Sequence, residues 1–166
     1  MAGFALDISG IKEVEAAIKK IDAKATKGLS AELDTSSINI QKMAARTAPG
    51  NLGKLKGSFR IDISNSLFKS VFSMLEYAPY VEFGTRGKAR IPAGYEAFAA
   101  QYKGKGAKGA WKAIEFWVKR KGIDPKLTFV IFRAIMRNGI APQPFMIPAY
   151  EKEKPALLKR LKALFS

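Results

Sequence analysis

The 166 residues include no cysteine and no histidine. Those absences exclude disulfides, thiolate nucleophiles, zinc sites built on Cys or His, and imidazole acid–base catalysis. Acidic residues are scarce too: Asp and Glu total 14 against 29 Lys and Arg. They are scattered along the chain, so carboxylate-only chemistry has little material. No run approaches the ~20 apolar residues of a membrane helix. The opening Met1-Ala2-Gly3-Phe4 lacks the basic start and apolar run of a secretory signal. The expectation from these absences is a soluble intracellular protein, with carboxylate-only sites still open. The lack of cysteine carries no information about redox compartment.

Enough apolar material is present for a core, at 48% hydrophobic residues, and the length suits a single domain over 1–166. The formal net charge is +15, which favours acidic partners: nucleic acid, a membrane surface or an acidic protein. The charge is unevenly spread. Residues 86–137 hold thirteen basic and three acidic residues, a net of +10, whereas residues 1–85 hold eleven and nine, a net of +2.

Helical spacing runs through Ile11, Val14, Ile18, Ile21, Ala25, Leu29, Leu33, Ile40 and Ala44. It predicts one long helix, or two in line broken near Gly28, capped by Ser9 and ended at Ala48-Pro49-Gly50. Ser58 to Ser64 alternates, with Phe59, Ile61 and Ile63 on one face. After the turn residues Asn65-Ser66, Leu67 to Met74 places Phe68, Ser70 and Phe72 together, so the two stretches predict a hairpin that needs a helix across its face. Glu76 to Thr85 is aromatic-rich and closes in a Gly turn. Arg86 to Gly109 is Gly- and Lys-rich, predicting a mobile loop around a short helix at Tyr95 to Tyr102. Ala110 to Lys121 predicts a helix with Trp111, Ile114, Trp117 and Val118 on one side and Gly122 as its stop. Asp124-Pro125 starts another that ends near Asn138-Gly139. A last amphipathic helix covers Ala149 to Phe165 and is expected to start properly at Pro155. The fold class expected is α+β: a long N-terminal helix and a C-terminal helix packed on a small antiparallel sheet, with a basic, mostly helical hairpin inserted at 86–141.

Chemical motifs are weak. Gly104-Lys105-Gly106-Ala107-Lys108-Gly109 has the glycine spacing of a dinucleotide fingerprint, but no strand precedes it and position 129, ~20 residues on, is Phe. Gly84-Thr85-Arg86-Gly87-Lys88 is too short for a phosphate loop, and Ala89 stands where Ser or Thr is required. The two helices around Gly122 could form a helix-turn-helix bearing Lys126, Arg133 and Arg137 on one face. Lys-Leu-Thr-Phe-Val at 126–130 is poor for reading base edges, which favours a helical hairpin with solvated basic residues. Glu76, Glu82 and Asp62 have nothing to bring them together as a catalytic carboxylate pair. The Lys-rich C-terminal helix reads more simply as a docking face than as a membrane-surface helix.

Three ordered blocks are more specific. Ala48-Pro49-Gly50-Asn51-Leu52-Gly53-Lys54-Leu55-Lys56-Gly57-Ser58 resembles the Ala-Pro, Thr-Gly-x-Leu-x-x-Ser segment of the gene-product-ten-like tail-component family of long-tailed bacteriophages. Tyr77-Ala78-Pro79-Tyr80-Val81-Glu82-Phe83-Gly84-Thr85 resembles that family's most distinctive block, and Pro144-Phe145-Met146-Ile147-Pro148-Ala149 its Pro-Phe-x-x-Pro-Ala block. Asn51-Leu52-Gly53 departs from the usual Asp-Thr-Gly, and 86–141 is long where many relatives have a short link.

The resemblance implies a virion structural protein, a tail-completion or head–tail connector subunit of the neck or tail, present in host cytoplasm during assembly. It would form a homo-oligomeric ring, roughly six- or twelve-fold, around the DNA path and beside neighbouring neck and tail proteins. No catalytic residue, cofactor, metal or membrane is implied. Pro49, Gly53, Tyr77, Tyr80, Glu82, Phe83, Gly84, Thr85, Pro144, Phe145 and Pro148 are then expected to brace the fold and subunit contacts. Arg86, Lys88, Arg90, Lys103, Lys105, Lys108 and Lys112 are candidates for contact with packaged DNA, blind to sequence, or with an acidic neighbouring protein. A sequence-independent nucleic-acid-binding protein is the alternative that charge alone supports.

Overall fold

In the computed structural model, which describes residues 4–7, 23–50, 53–102 and 110–164, Ala23–Thr47 form one 25-residue helix, α1. Its expected stripe is buried at Leu29, Leu33, Ile40 and Ala44. The predicted start near Ile11, with Val14, Ile18 and Ile21, lies outside the described residues. Gly28 does not break the helix: a Cβ there would meet Leu164 Cδ2 at 3.4 Å, so glycine lets another helix come close. The Ser37 hydroxyl donates to the Leu33 carbonyl at 2.7 Å, which satisfies a buried polar side chain inside the helix.

The sheet has three antiparallel strands: β1 (Phe4–Asp7), β2 (Phe59–Asn65) and β3 (Phe68–Ser73), in the order β1-β3-β2. The β2–β3 hairpin is the predicted one, and the Asn65 side chain accepts from Leu67 N across its turn. The four-residue β1, registered Phe4↔Ser73 to Asp7↔Ser70, has no counterpart in the sequence reading. Register Phe59↔Ser73 and Ile61↔Val71 sets which face is covered. The buried residues of β3 are Lys69, Val71 and Ser73, while Phe68, Ser70 and Phe72 are half-buried. Ile63 leaves the expected face and is 66% exposed. A register shift between Asp62 and Asn65 is the reason, since an irregularity of this kind resets the alternation.

The buried polar groups of β3 are matched one by one. Lys69 Nζ lies 2.9 Å from Asp34 Oδ1 on α1. The Ser58 and Ser73 hydroxyls meet at 2.7 Å, Ser58 donates to the Leu55 carbonyl at 2.7 Å, and Leu75 N donates to Ser73 Oγ at 3.2 Å.

The C-terminal helix, Met146–Leu164, packs on α1 through Leu157 and Leu161 against Leu29 and Leu33, with Leu67 beside them. Pro155 lies inside this helix and does not begin it, a correction to the expected start. Proline removes one helical N–H donor, and it sits here on an exposed face of the helix. A polar network links the two helices: Arg160 pairs with Glu32 at 2.6 Å and Glu153 at 2.7 Å, and Glu153 also accepts from Ser36 at 3.0 Å and Asn39 at 3.2 Å.

The chain divides into two compact units, Met1–Ala78 with Pro144–Ser166, and Pro79–Gln143. The first contains the sheet, α1 and the C-terminal helix. The second follows α2 (Ala78–Phe83) with α3 (Glu96–Ala100), α4 (Ala110–Arg120) and α5 (Thr128–Asn138); the Met146–Leu164 helix is α6. Gly122, at φ +66°, ends α4 as expected. The Asp124 side chain accepts from Lys126 N at 2.9 Å, ahead of a short turn at Pro125–Leu127. Val118 is fully buried, and Trp111 meets Phe132 edge-on at 5.2 Å although its indole is 41% exposed.

The predicted mobile loop is only partly a loop. Residues 86–90 form a hydrogen-bonded turn, with Lys88 N donating to Thr85 O, Ala89 N to Arg86 O and Arg90 N to Phe83 O. The short helix falls inside the predicted Tyr95–Tyr102. Residues 103–109 lie outside the described residues.

Candidate functional site

The Glu-Phe-Gly-Thr segment forms the most tightly specified turn of the Pro79–Gln143 unit. Gly84 sits at φ +73°, where a Cβ would lie 2.7 Å from the Ile140 carbonyl oxygen. Thr85 N donates to Ile140 O at 2.9 Å, and Ile140 N donates to Thr85 Oγ1 at 2.8 Å. Gly139, at φ +75°, is tighter still, because a Cβ there would stand 2.1 Å from Thr85 O. Gln143 N then donates to Val81 O at 2.8 Å. Two segments far apart in sequence are thus clasped backbone to backbone, with glycine required on each side. Arg86 follows at φ +54°, the one described non-glycine residue with positive φ.

Beside this clasp, Glu82 and Phe83 are buried. Phe83 meets Phe98 edge-on at 6.1 Å, and Phe98 meets Tyr102 at 5.7 Å. Tyr80 is half-buried and Thr85 partly so. The clasp spends the Thr85 amide and hydroxyl and the Val81 carbonyl on the 140–143 backbone, which suits a brace.

The other expected bracing residues lie in the sheet-bearing unit. Phe145 is fully buried and packs on Phe59 at 5.5 Å between ring centres. Pro49 is half-buried; Gly53, at φ +68°, is exposed, as are Pro144 and Pro148. Tyr77 is 42% exposed, and partial burial pushes its phenol above the ordinary value. Of the three acids considered for catalysis, Glu76 and Asp62 are exposed and Glu82 is buried. The Ser64 backbone N–H holds the Asp62 carboxyl below its ordinary value. Among the described residues, no three Asp or Glu side chains are grouped to hold a metal ion, and no helix is long and apolar enough to cross a membrane.

Every described basic residue between Arg86 and Arg137 is exposed, including the expected contacts Arg86, Lys88, Arg90 and Lys112. Lys103, Lys105 and Lys108 lie outside the described residues. Acidic groups nearby serve local ends: Glu115 pairs with Lys119 at 3.3 Å, Glu96 accepts from Gly94 N, and Asp124 caps its turn. Sequence reasoning missed Gly139 and Ile140 as partners of the Gly84-Thr85 turn. The only local signal was a helix-ending Asn-Gly pair, and nothing in it points to a turn fifty-five residues earlier. No family model, curated protein or solved structure matches the chain.

Proposed function

We propose that this protein is a structural subunit of the virion neck or tail of a long-tailed bacteriophage, a tail-completion or head–tail connector protein that assembles as a homo-oligomeric ring around the DNA path. The observation carrying the proposal is the Gly84–Thr85/Gly139–Ile140 clasp. Within the most distinctive block of the resemblance, Thr85 and Val81 are tied to the 140–143 segment by three hydrogen bonds. Ring closure needs two different complementary faces on each subunit, and rigid subunits hold such faces at a fixed angle. The basic segment 86–137, whose described Lys and Arg side chains are exposed, then faces the DNA channel or an acidic neighbouring ring in a virion assembled in host cytoplasm.

Imaging of an intact particle tests this directly. The expected result is density for this chain as a closed ring near the head–tail junction; a particle whose proteome lacks the chain rules the reading out. Neutralising Lys88, Arg90, Lys103, Lys105, Lys108 and Lys112 together is expected to abolish packaging or infectivity, and an unchanged titre removes the role assigned to the charge.

A second reading, a sequence-independent nucleic-acid-binding protein, is favoured by one observation: the exposure of every described basic side chain between Arg86 and Arg137. It predicts duplex binding by the isolated monomer, with affinity falling steeply as salt rises. Sequence-specific reading has less support, since Thr128, at the start of α5, is buried.

A further inference from the structure

Among the described residues, helix α5 is covered on one side only. Thr128 is buried, Ile131 and Ile135 are half-buried, and Phe132 packs on Trp111 of α4. The opposite side leaves Phe129 and Val130 each 59% exposed and Met136 36% exposed, beside exposed Arg133 and Arg137. Aromatic side chains, Met and Arg are the types enriched at protein interfaces. Apolar surface left in water forfeits about 25 cal/mol per Å² of possible burial.

The order of residues around the helix narrows the occupant. At 3.6 residues per turn, Arg133 and Arg137 fall in the middle of the exposed arc. Phe129 and Met136 flank them on one side and Val130 on the other. A helix lying on a membrane has the reverse order, with apolar residues central and cations at the margins. Phosphate contact would use the arginines and leave Phe129 and Met136 without an apolar counterpart. No Asp or Glu occurs between Pro125 and Tyr150, and the whole chain carries +15, so a second copy is a poor electrostatic match.

We infer that this face of α5 docks a separate protein through an acidic amphipathic segment. The partner's carboxylates pair with Arg133 and Arg137, and its apolar residues cover Phe129, Val130 and Met136. Arginine suits this position because its planar fork accepts a carboxylate bidentately. The surface is complete on one copy of the chain, so it does not depend on ring assembly.

The test is selection of helical peptides from a library randomised between acidic, basic, polar and apolar residues, against the full-length protein. Enriched peptides are expected to combine Asp or Glu with apolar residues at helical spacing. Their affinity is expected to fall about tenfold or more on Arg133→Glu with Arg137→Glu, and on Phe129→Ser with Val130→Ser. Circular dichroism should show all variants folded; because these side chains are exposed, the substitutions spare the core. Enrichment of polyacidic peptides without apolar residues overturns the proposal, as does binding insensitive to either variant pair or no enrichment at all. Parallel titrations with anionic phosphatidylglycerol vesicles and with duplex DNA complete the test. Binding to either that is lost in both variant pairs, with no peptide selected, assigns the face to that ligand and refutes a protein partner.

Discussion

Thr85 and Ile140 exchange two hydrogen bonds across fifty-five positions of sequence: Thr85 N donates to Ile140 O at 2.9 Å, and Ile140 N donates to Thr85 Oγ1 at 2.8 Å. The flanking glycines make the exchange possible, so the glycines are where it is most easily broken. Gly139→Ala and Gly84→Ala each combine positive φ with a clash against backbone. Each is expected to destabilise the protein by about 2 kcal/mol or more. Gly87→Ala, at a site with nothing within 4 Å and no positive φ, should stay within ~0.5 kcal/mol of the parent. Urea denaturation of the three variants makes the comparison; equal midpoints would show the clasp to be unimportant.

The Lys69–Asp34 pair is lopsided, with 4% of the lysine side chain exposed against 43% of the aspartate. Removing the partner of a buried charge costs more than removing the charge. Asp34→Ala is therefore expected to lose about 2–4 kcal/mol, and Lys69→Met less, because the aspartate side chain reaches solvent. Thermal melts that ranked the two in the opposite order would refute this account of the buried ammonium.

Glu153 gives a pH dependence with a definite sign. Burial alone raises its pKa, but hydrogen bonds from Arg160, Asn39 and Ser36, together with the Arg160 charge, outweigh that and hold it below its ordinary 4.5. A depressed folded-state value means the stabilisation is fully present above the unfolded value and is lost as pH falls through the folded one. Stability measured from pH 6 downward should decline more steeply for the parent than for Glu153→Gln. Parallel curves would mean that this carboxyl contributes nothing to the acid sensitivity.

Phe145 meets Phe59 in the core of the sheet-bearing unit, and Phe145 is fully buried. Phe145→Ala is expected to cost about 3–5 kcal/mol, and Phe145→Leu distinctly less. The neighbouring Pro148→Ala, at an exposed site, should be close to neutral by the same melts.

Features written in local chemistry were legible in the sequence. The stripe of α1, the Asp124 cap, the Gly122 stop and the β2–β3 hairpin all follow from spacing or from a residue's own backbone preference. Features decided by distant partners were not. Phe68 and Phe72 look like the core face of β3, yet Val71 takes the fully buried place between Lys69 and Ser73. Asp34 and Ser58 make that possible by satisfying the two polar neighbours, and neither lies near them in sequence. Four residues, Phe-Ala-Leu-Asp, do not advertise a strand, and β1 exists through its pairing with β3. Pro155 reads as a helix boundary until its turn is seen to be exposed. In the candidate site, the Gly84–Thr85 turn was visible as a turn, but its Gly139–Ile140 counterpart was not, because a clasp between segments leaves no periodicity in either.

The sheet-bearing unit is assembled from two segments far apart in sequence, Met1–Ala78 and Pro144–Ser166. A ribosome delivers the first of these segments well before the second. Pro79–Gln143 emerges whole before α6 exists, so it can fold while Leu29 and Leu33 still await Leu157 and Leu161. Until α6 leaves the exit tunnel, the leucine stripe of α1 stays uncovered. Premature termination inside α6 would therefore strand an adhesive intermediate, the species that chaperones and proteases intercept.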